Sequence, residues 1–400
     1  MSDTDLDTLA APAGVEHNQD AFNAELLGRG YSRRSLGKIA ALLGGGAAVI
    51  SSATPAFAQQ SAKAVAGAVR IGANECWTGP LPAGAEAAML IVANGNWYEP
   101  TNEHQKLFEA VSKVEGVPVE RILAWPGSSD PLARVPVTFA SPKRGIVTAD
   151  ATYESIWRTG DWIGAKMTKV PLTPDYRHDV KAMLKADPNA GVYYICSPNN
   201  PTGTITPLEE IEWLAQNMPK DAVLLVDEAY VHWSDTPRAA PLAVKYDNVL
   251  VMRTFSKLFG MAGMRLGLTF ASPALHEKMM RYDGGQVTNM LPMTAVACGA
   301  ASVPLAAQIK ERAAEMVAAR EYAVAHVQKR GLTVVPGSHA NMFMVEWKDK
   351  TPKEMQAAFL EQGVQIGRSW TALPKMSRVT VGSMEDMQKF CLALDKILTA

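Results

Sequence analysis

Three short apolar runs, each ending in polar residues, constrain this chain most: "GVYYICS" at 191–197, "AVLLVDE" at 222–228 and "NVLVMRT" at 248–254. Runs of this length, rich in branched and aromatic side chains, read as strands buried on both faces. "RGIVTAD" (144–150) supplies a fourth, and "PLEEIEWLAQNM" (207–218), between the first two, has helical spacing. Strands separated by helices imply an α/β domain, with a mostly parallel sheet covered by helices on both faces. Such sheets bind ligands beyond the carboxyl ends of their strands. There stand Asn199-Asn200 after the first run, Asp227 at the end of the second and Ser256-Lys257 after the third.

Past this region the pattern changes. Residues 292–330 read as helical, ending at Gly331, and "LTVVP", "NMFMVEW" and "SRVTVG" are short strands mixed with a helix in "TPKEMQAAFLEQG". This predicts a smaller α+β domain over 301–400, joined by residues 59–100 crossing back from the N-terminus, with the large domain between at 101–300.

Residues 1–58 read as a leader outside the fold. Arg33 and Arg34 precede an apolar run from Ile39 to Ile50, and Ala56-Phe57-Ala58 gives an A-x-A cleavage pattern. The apolar run is too short to span a bilayer comfortably. Ser-Arg-Arg-x-Leu-x-Lys resembles a twin-arginine signal, whose route exports folded proteins. That implies a periplasmic or otherwise exported protein, a mature chain starting near Gln59, and the twin-arginine export machinery as a partner. An uncleaved leader acting as a weak anchor, or a cytoplasmic protein if the signal does not function, is the alternative. Gly44-Gly45-Gly46 lacks both a preceding strand and phosphate-loop spacing.

The formal net charge is −1 and basic residues are scattered, which argues against a nucleic-acid surface. The four cysteines, at 76, 196, 298 and 391, form no C-x-x-C pair. A zinc site or a thioredoxin-like motif is therefore not expected, nor any metal, and Cys196, ending an apolar strand, reads as a buried free thiol.

In "TFSKLFGMAGMRLG" (254–267), Lys257 and Arg265 are the only charged residues. A lysine amine can form a Schiff base with an aldehyde cofactor. A strand-end aspartate can pair with a protonated pyridine nitrogen, serine and arginine can hold a phosphate, and an aromatic ring can stack on a flat one. These are the needs of pyridoxal 5′-phosphate, PLP. Taken singly each has a plainer reading. Asp227-Glu228 ends a strand at a polar loop, Tyr153 packs in a core, Pro198-Pro201-Gly203 forms a turn, and Arg378 makes a surface ion pair.

Together, "SPNNPTG" (197–203), "VDEAY" (226–230) and "TFSKLFGMAGMRLG" resemble, in order and spacing, the fold-type-I aminotransferases of class I/II, most closely the histidinol-phosphate aminotransferase branch. The resemblance runs from about Gly72 to the C-terminus. It implies PLP held by Lys257, which then moves the proton between substrate Cα and cofactor C4′. Asp227 would pair with the pyridinium nitrogen, Asn200 and Tyr230 with the ring oxygen, and Ser256 and Arg265 with the phosphate. Ser129 and Asp130 match a turn whose amides bind that phosphate at a helix N-terminus. Tyr153 matches the stacking aromatic. Tyr98 resembles a tyrosine reaching the neighbouring subunit's phosphate, which implies a homodimer. Arg378 matches the arginine that holds the substrate's anionic group, and Asn74 opens a segment near the substrate.

Three departures stand out. Pro131 replaces a glutamate, "QVTNMLP" replaces a Pro-aromatic-Asn run, and Arg368 lies one place after the family's second arginine, where Gly367 stands. In the family that arginine helps bind substrate phosphate. Its displacement, and an exported location, argue against histidinol phosphate, and Trp370 beside it suggests a pocket for an apolar or aromatic side chain. The expected activity is transfer of an amino group between an amino acid and a 2-oxo acid. A PLP lyase, decarboxylase or racemase of the same fold is the alternative, followed by a non-catalytic PLP-binding protein.

Overall fold

The computed structural model describes residues 19–45, 67–281 and 285–399. In chain order the strands are β1 (Val69–Ile71), β2 (Ile122–Trp125), β3 (Ile146–Asp150), β4 (Met167–Pro171), β5 (Val192–Cys196), β6 (Val223–Asp227), β7 (Val249–Thr254), β8 (Gly267–Phe270), β9 (Thr333–Val334), β10 (Met342–Glu346), β11 (Val364–Ile366) and β12 (Met376–Thr380). Seven of them form one sheet in the order β2-β8-β7-β6-β5-β3-β4. Strand β8 runs antiparallel to both neighbours, and the β4-β3-β5-β6-β7 run is parallel throughout.

Both faces of this sheet are buried, because successive side chains point to opposite sides. Val147, Tyr193, Ile195, Leu224, Val226 and Val251 pack with Leu107, Met183, Leu214 and Cys298 on one face. Ile146, Tyr194, Leu225, Leu250 and Met252 pack with Val135, Ile156 and Met279 on the other. The helical runs therefore cover both sides of a sheet too apolar to face water. The four cysteines are free.

The smaller part is built on the three-stranded sheet β12-β10-β9 and on β1 paired parallel with β11. Strand β1 thus crosses back to the C-terminal region. The helix Pro82–Val92 does not follow it: it packs against the helix Met293–Ser302, which packs in turn on Glu103–Glu115 of the large part. Close packing decides this, since a Cβ at Gly84 would lie 2.2 Å from Ser302 Oγ and 2.9 Å from Cys298 O. The 24-residue helix Ala306–Lys329 spans both parts. Ala313 and Met316 join the large part's core, while Ala319, Ala323 and Val327 join that of the smaller.

The N-terminal segment calls for a correction. Residues 19–45 do not stand apart from the fold, and form two helices, Gln19–Gly28 and Arg33–Gly45, packed on the large part. Ile39 and Leu42 lie on one helical face, and with Leu26 and Tyr31 they are buried in the cluster that contains Val137, Ala140 and Ile163. Arg29 donates to the carbonyls of Val137 and Ala140, Tyr31 Oη to Ala140 O (2.8 Å) and Lys38 Nζ to Trp162 O (2.9 Å). These carbonyls lie at or just past the C-terminal turns of the helices Ser129–Phe139 and Ser155–Ile163, where intrahelical partners are lacking and positive charge is favoured. Arg33 and Arg34 are exposed. The Ala56-Phe57-Ala58 pattern lies outside the described residues.

Ile39→Asp should therefore detach the hairpin, because burying an unpaired carboxylate costs about 3 kcal/mol or more. Under native conditions trypsin should cut the full-length variant at Arg33–Arg34 roughly 100-fold faster than the parent, if cleavage follows the opened population. Equal cleavage rates would show that the hairpin is not docked.

Candidate active site

Parallel pairing brings the polar strand ends level. Cys196 lies beside Asp227 across β5 and β6, and Asp227 beside Met252 across β6 and β7. Asn200, Asp227, Ser256 and Lys257 consequently open into one cavity of about 740 Å³. Gly72 and Asn74, following β1, line it as well. So do Ser129, Tyr153, Tyr230 and Arg265 from the large part, and Gln356, Leu360, Arg368 and Arg378 from the smaller.

Lys257 Nζ donates to Asn74 O at 2.8 Å. Burial, followed by the charge of Arg378, lowers its pKa to about 8. Asp227 is buried, which raises its carboxyl to about 6 despite hydrogen bonds that favour the anion. Tyr194 Oη donates to Asp227 Oδ2 (2.9 Å) and the Ala229 amide to Oδ1 (3.1 Å). Both groups carry a desolvation cost that an opposite charge in the cavity would offset.

Arg378, on β12, donates from Nη1 to Asn200 Oδ1 (3.1 Å) and from Nη2 to Gly72 O (3.0 Å). It thereby ties the smaller part to the loop after β5, and its buried Nε has no partner. Burial lowers its pKa to about 10, so it remains a cation at neutral pH. Asn74 has a left-handed φ of 59°, and its Nδ2 donates to Tyr230 Oη at 2.7 Å. Asn74 Oδ1 is also buried without a partner.

An anion cradle borders the same cavity. Ser129 and Asp130 begin the helix Ser129–Phe139, whose first amides lack intrahelical acceptors. Pro131 is tolerated here because its missing N–H falls in that same first turn. Arg265 approaches over Gly127, where a Cβ would lie 2.1 Å from Arg265 Nη2, and Gly267 passes under Ser128, where a Cβ would lie 2.6 Å from the amide nitrogen. Arg265 Nη1 is steadied by Ala262 O at 2.8 Å and reaches Ser256 Oγ at 3.5 Å. Amide N–H groups, a hydroxyl and a guanidinium converging in this way suit a phosphate. Tyr153 also lines the cavity, with 36% of its surface open. The donor set therefore fits PLP: a cradle for its phosphate, a buried carboxylate for its nitrogen, and an amine more easily deprotonated than an ordinary lysine.

Some expected residues sit differently. The Asp130 carboxylate turns away to accept from Arg134 Nε at 2.5 Å, leaving its amide as the group at the cradle. Tyr98 is fully exposed and lies outside the cavity lining. Arg368 faces the cavity but is paired with Glu154. Sequence reasoning missed Glu154, Tyr194 and Gly127. Only Tyr194 carried a signal, as a hydroxyl in an otherwise apolar buried strand requires an acceptor.

Comparison with known proteins agrees with this geometry. Residues 66–394 match the family Aminotransferase class I and II. A histidinol-phosphate aminotransferase of Geobacillus sp. is 31% identical over 82% of this chain and 90% of its own. An aromatic amino acid aminotransferase of Cutibacterium acnes is 30% identical over 76% of this chain and 86% of its own. The crystal structure of histidinol-phosphate aminotransferase from Sinorhizobium meliloti in complex with pyridoxal-5′-phosphate superposes with a TM-score of 0.73. It covers 82% of this chain and 90% of that one at 24% identity, which speaks for the fold. The chain belongs to the class I and II aminotransferases: it is a PLP-dependent transaminase of fold type I, similar to the histidinol-phosphate aminotransferases.

Proposed function

We propose that the cavity transfers an amino group from an amino acid donor to a 2-oxo acid acceptor, with Lys257 moving the proton and Arg378 holding the substrate's carboxylate. The observation that carries this is the convergence of Lys257, Asp227 and Arg378 in one cavity, beside an anion cradle. PLP supplies the electron sink that weakens the bonds at the substrate's Cα.

The residues divide the remaining work. Lys257, whose amine loses its proton more readily than an ordinary lysine's, would anchor the cofactor and serve as base at Cα. Asp227, held by Tyr194 and the Ala229 amide, would pair its negative charge with the pyridine nitrogen. Asn200 Oδ1 accepts from Arg378, which leaves its Nδ2 to donate to the ring oxygen alongside Tyr230. Ser256, Arg265 and the amides of Ser129 and Asp130 hold the phosphate, and Tyr153 stacks on the ring. Asn74 positions Tyr230 and, through its carbonyl, Lys257. Arg378 has donors left over, including the unpartnered Nε, for a carboxylate.

Two further parts of the reading concern assembly and location. Met89, Leu90, Val92, Trp97 and Tyr98 form an exposed apolar strip along the helix Pro82–Val92 and the loop after it. A second copy covering this strip, in a homodimer, would shield it from water and carry Tyr98 toward the partner's phosphate cradle. Recognition by twin-arginine export machinery, and with it a periplasmic location, rests on the exposed Arg33 and Arg34 and requires the docked helix Arg33–Gly45 to be released from the large part. A route that carries folded proteins suits an enzyme that collects its cofactor before export.

Lys257→Ala should abolish turnover. In the parent apoprotein, capture of PLP requires the neutral amine, and a lowered pKa brings that form in at lower pH. The capture rate followed by absorbance should therefore rise as pH increases through about 8 and then level off; a midpoint near the ordinary lysine value of 10.5 would count against the assignment. Arg378→Ala should lower kcat/KM for amino acids by about 10- to 100-fold, the worth of a charged hydrogen bond. The loss should be much smaller for amines lacking the carboxylate, and an equal loss for both would remove Arg378 from carboxylate binding.

A further inference from the structure

Arg368 and Arg378 both face the cavity, and both guanidinium groups lie against Trp370, at 4.0 and 5.5 Å from its ring centroid. Trp370 is fixed by its indole N–H, which donates to Thr152 O at 3.2 Å. Two cations on one rigid ring would suit a substrate with two anionic ends. The second cation is already engaged. Arg368 Nη2 donates to Glu154 Oε2 at 2.6 Å and Nη1 to Glu154 Oε1 at 3.3 Å, a two-point pair. Arg158 Nη2 also donates to Glu154 Oε2, at 2.7 Å. Glu154 is thus held from two sides, its side chain 15% exposed against 37% for Arg368. The lining next to Arg368 in sequence or on the facing helix is uncharged, with Gln356, Leu360, Ile366 and Gly367, while Arg378 and Glu75 supply the other charges of this part of the cavity.

From this we infer that Glu154 is a specificity-determining residue. By occupying Arg368 it directs the cavity toward amino donors with uncharged side chains and away from those bearing a phosphate or second carboxylate. An incoming side-chain anion must either displace Glu154 from Arg368 or lie beside its negative charge, and both oppose binding. A neutral side chain meets no such opposition and can rest on Leu360 and Ile366, which line the cavity. The inference deepens the proposed function and depends on Arg378 holding the α-carboxylate.

Glu154 precedes the helix Ser155–Ile163 without capping it through its side chain, so Glu154→Gln removes charge while leaving the helix start intact. The test is calorimetric binding of two unreactive acids, glutarate and 3-phenylpropionate, to the PLP-loaded protein. The parent should prefer 3-phenylpropionate. Glu154→Gln should tighten glutarate about tenfold or more while changing 3-phenylpropionate by less than about threefold. Adding Arg368→Ala should erase the glutarate gain. A merely structural role for Glu154 would move both acids together. The inference is overturned by an absent gain, an equal gain for both acids, or a gain that persists without Arg368. Failure of the underlying reading looks different: 3-phenylpropionate would then bind Arg378→Ala as well as it binds the parent, and the inference would fall with it.

Discussion

Parallel hydrogen bonding between β5, β6 and β7 is the constraint on which the rest depends. Because Cys196, Asp227 and Met252 lie in register, the chain leaves three adjacent strands at one edge and one level. Asn200, Asp227 and Lys257 meet there although they are scattered along the sequence. A one-residue slip of β6 would turn Asp227 to the other face of the sheet. The apolar faces enforce the register, since Leu224 and Val226 belong to one core and Leu225 to the other.

Around that edge the site concentrates charge that burial makes costly. Desolvation raises Asp227, lowers Lys257 and lowers Arg378. Each shift expresses the absence of water, and each is partly countered by a neighbour: Tyr194 and the Ala229 amide for Asp227, Asp227 for Lys257 and Tyr230 for Arg378. A ligand carrying phosphate, a basic ring nitrogen and an aldehyde addresses the uncompensated groups together. The glycines at 127 and 267 matter for the same reason. They let backbone and guanidinium approach closely enough to form a cradle, and any side chain there would fill it.

The smaller part contributes less to the bed of the site than to its selectivity. Arg378, Arg368 and Trp370 all come from residues between the start of β11 and the end of β12. Arg378 reaches the loop after β5, while Arg368 reaches Glu154 at the start of a large-part helix. Contacts of this kind tie selectivity to the relation between the two parts, which the helix Ala306–Lys329 holds by entering both cores.

How much of this was legible beforehand varied with the range of the interaction. The strands β3, β5, β6 and β7 and the helix Leu208–Asn217 were readable because their patterns are local. β2, β4 and β8 were not picked out, β2 and β8 being short pieces whose antiparallel pairing gives them their place. Lys257, Asp227, Asn200 and Arg265 stand in motifs whose spacing survives without the fold, and the sequence by itself determined that they belong to one chemistry. The structure alone decided which atoms they present. Arg378 orients Asn200, Glu154 occupies Arg368, and Asp130 turns its carboxylate to Arg134. It also decided that residues 19–45, which by pattern look like a leader, cover an apolar surface of the large part. Except for Asp130 and Arg134, four apart on one helix, the partner lies far away in sequence or on another element. Periodicity records which face of an element is apolar, but only packing selects what that face meets.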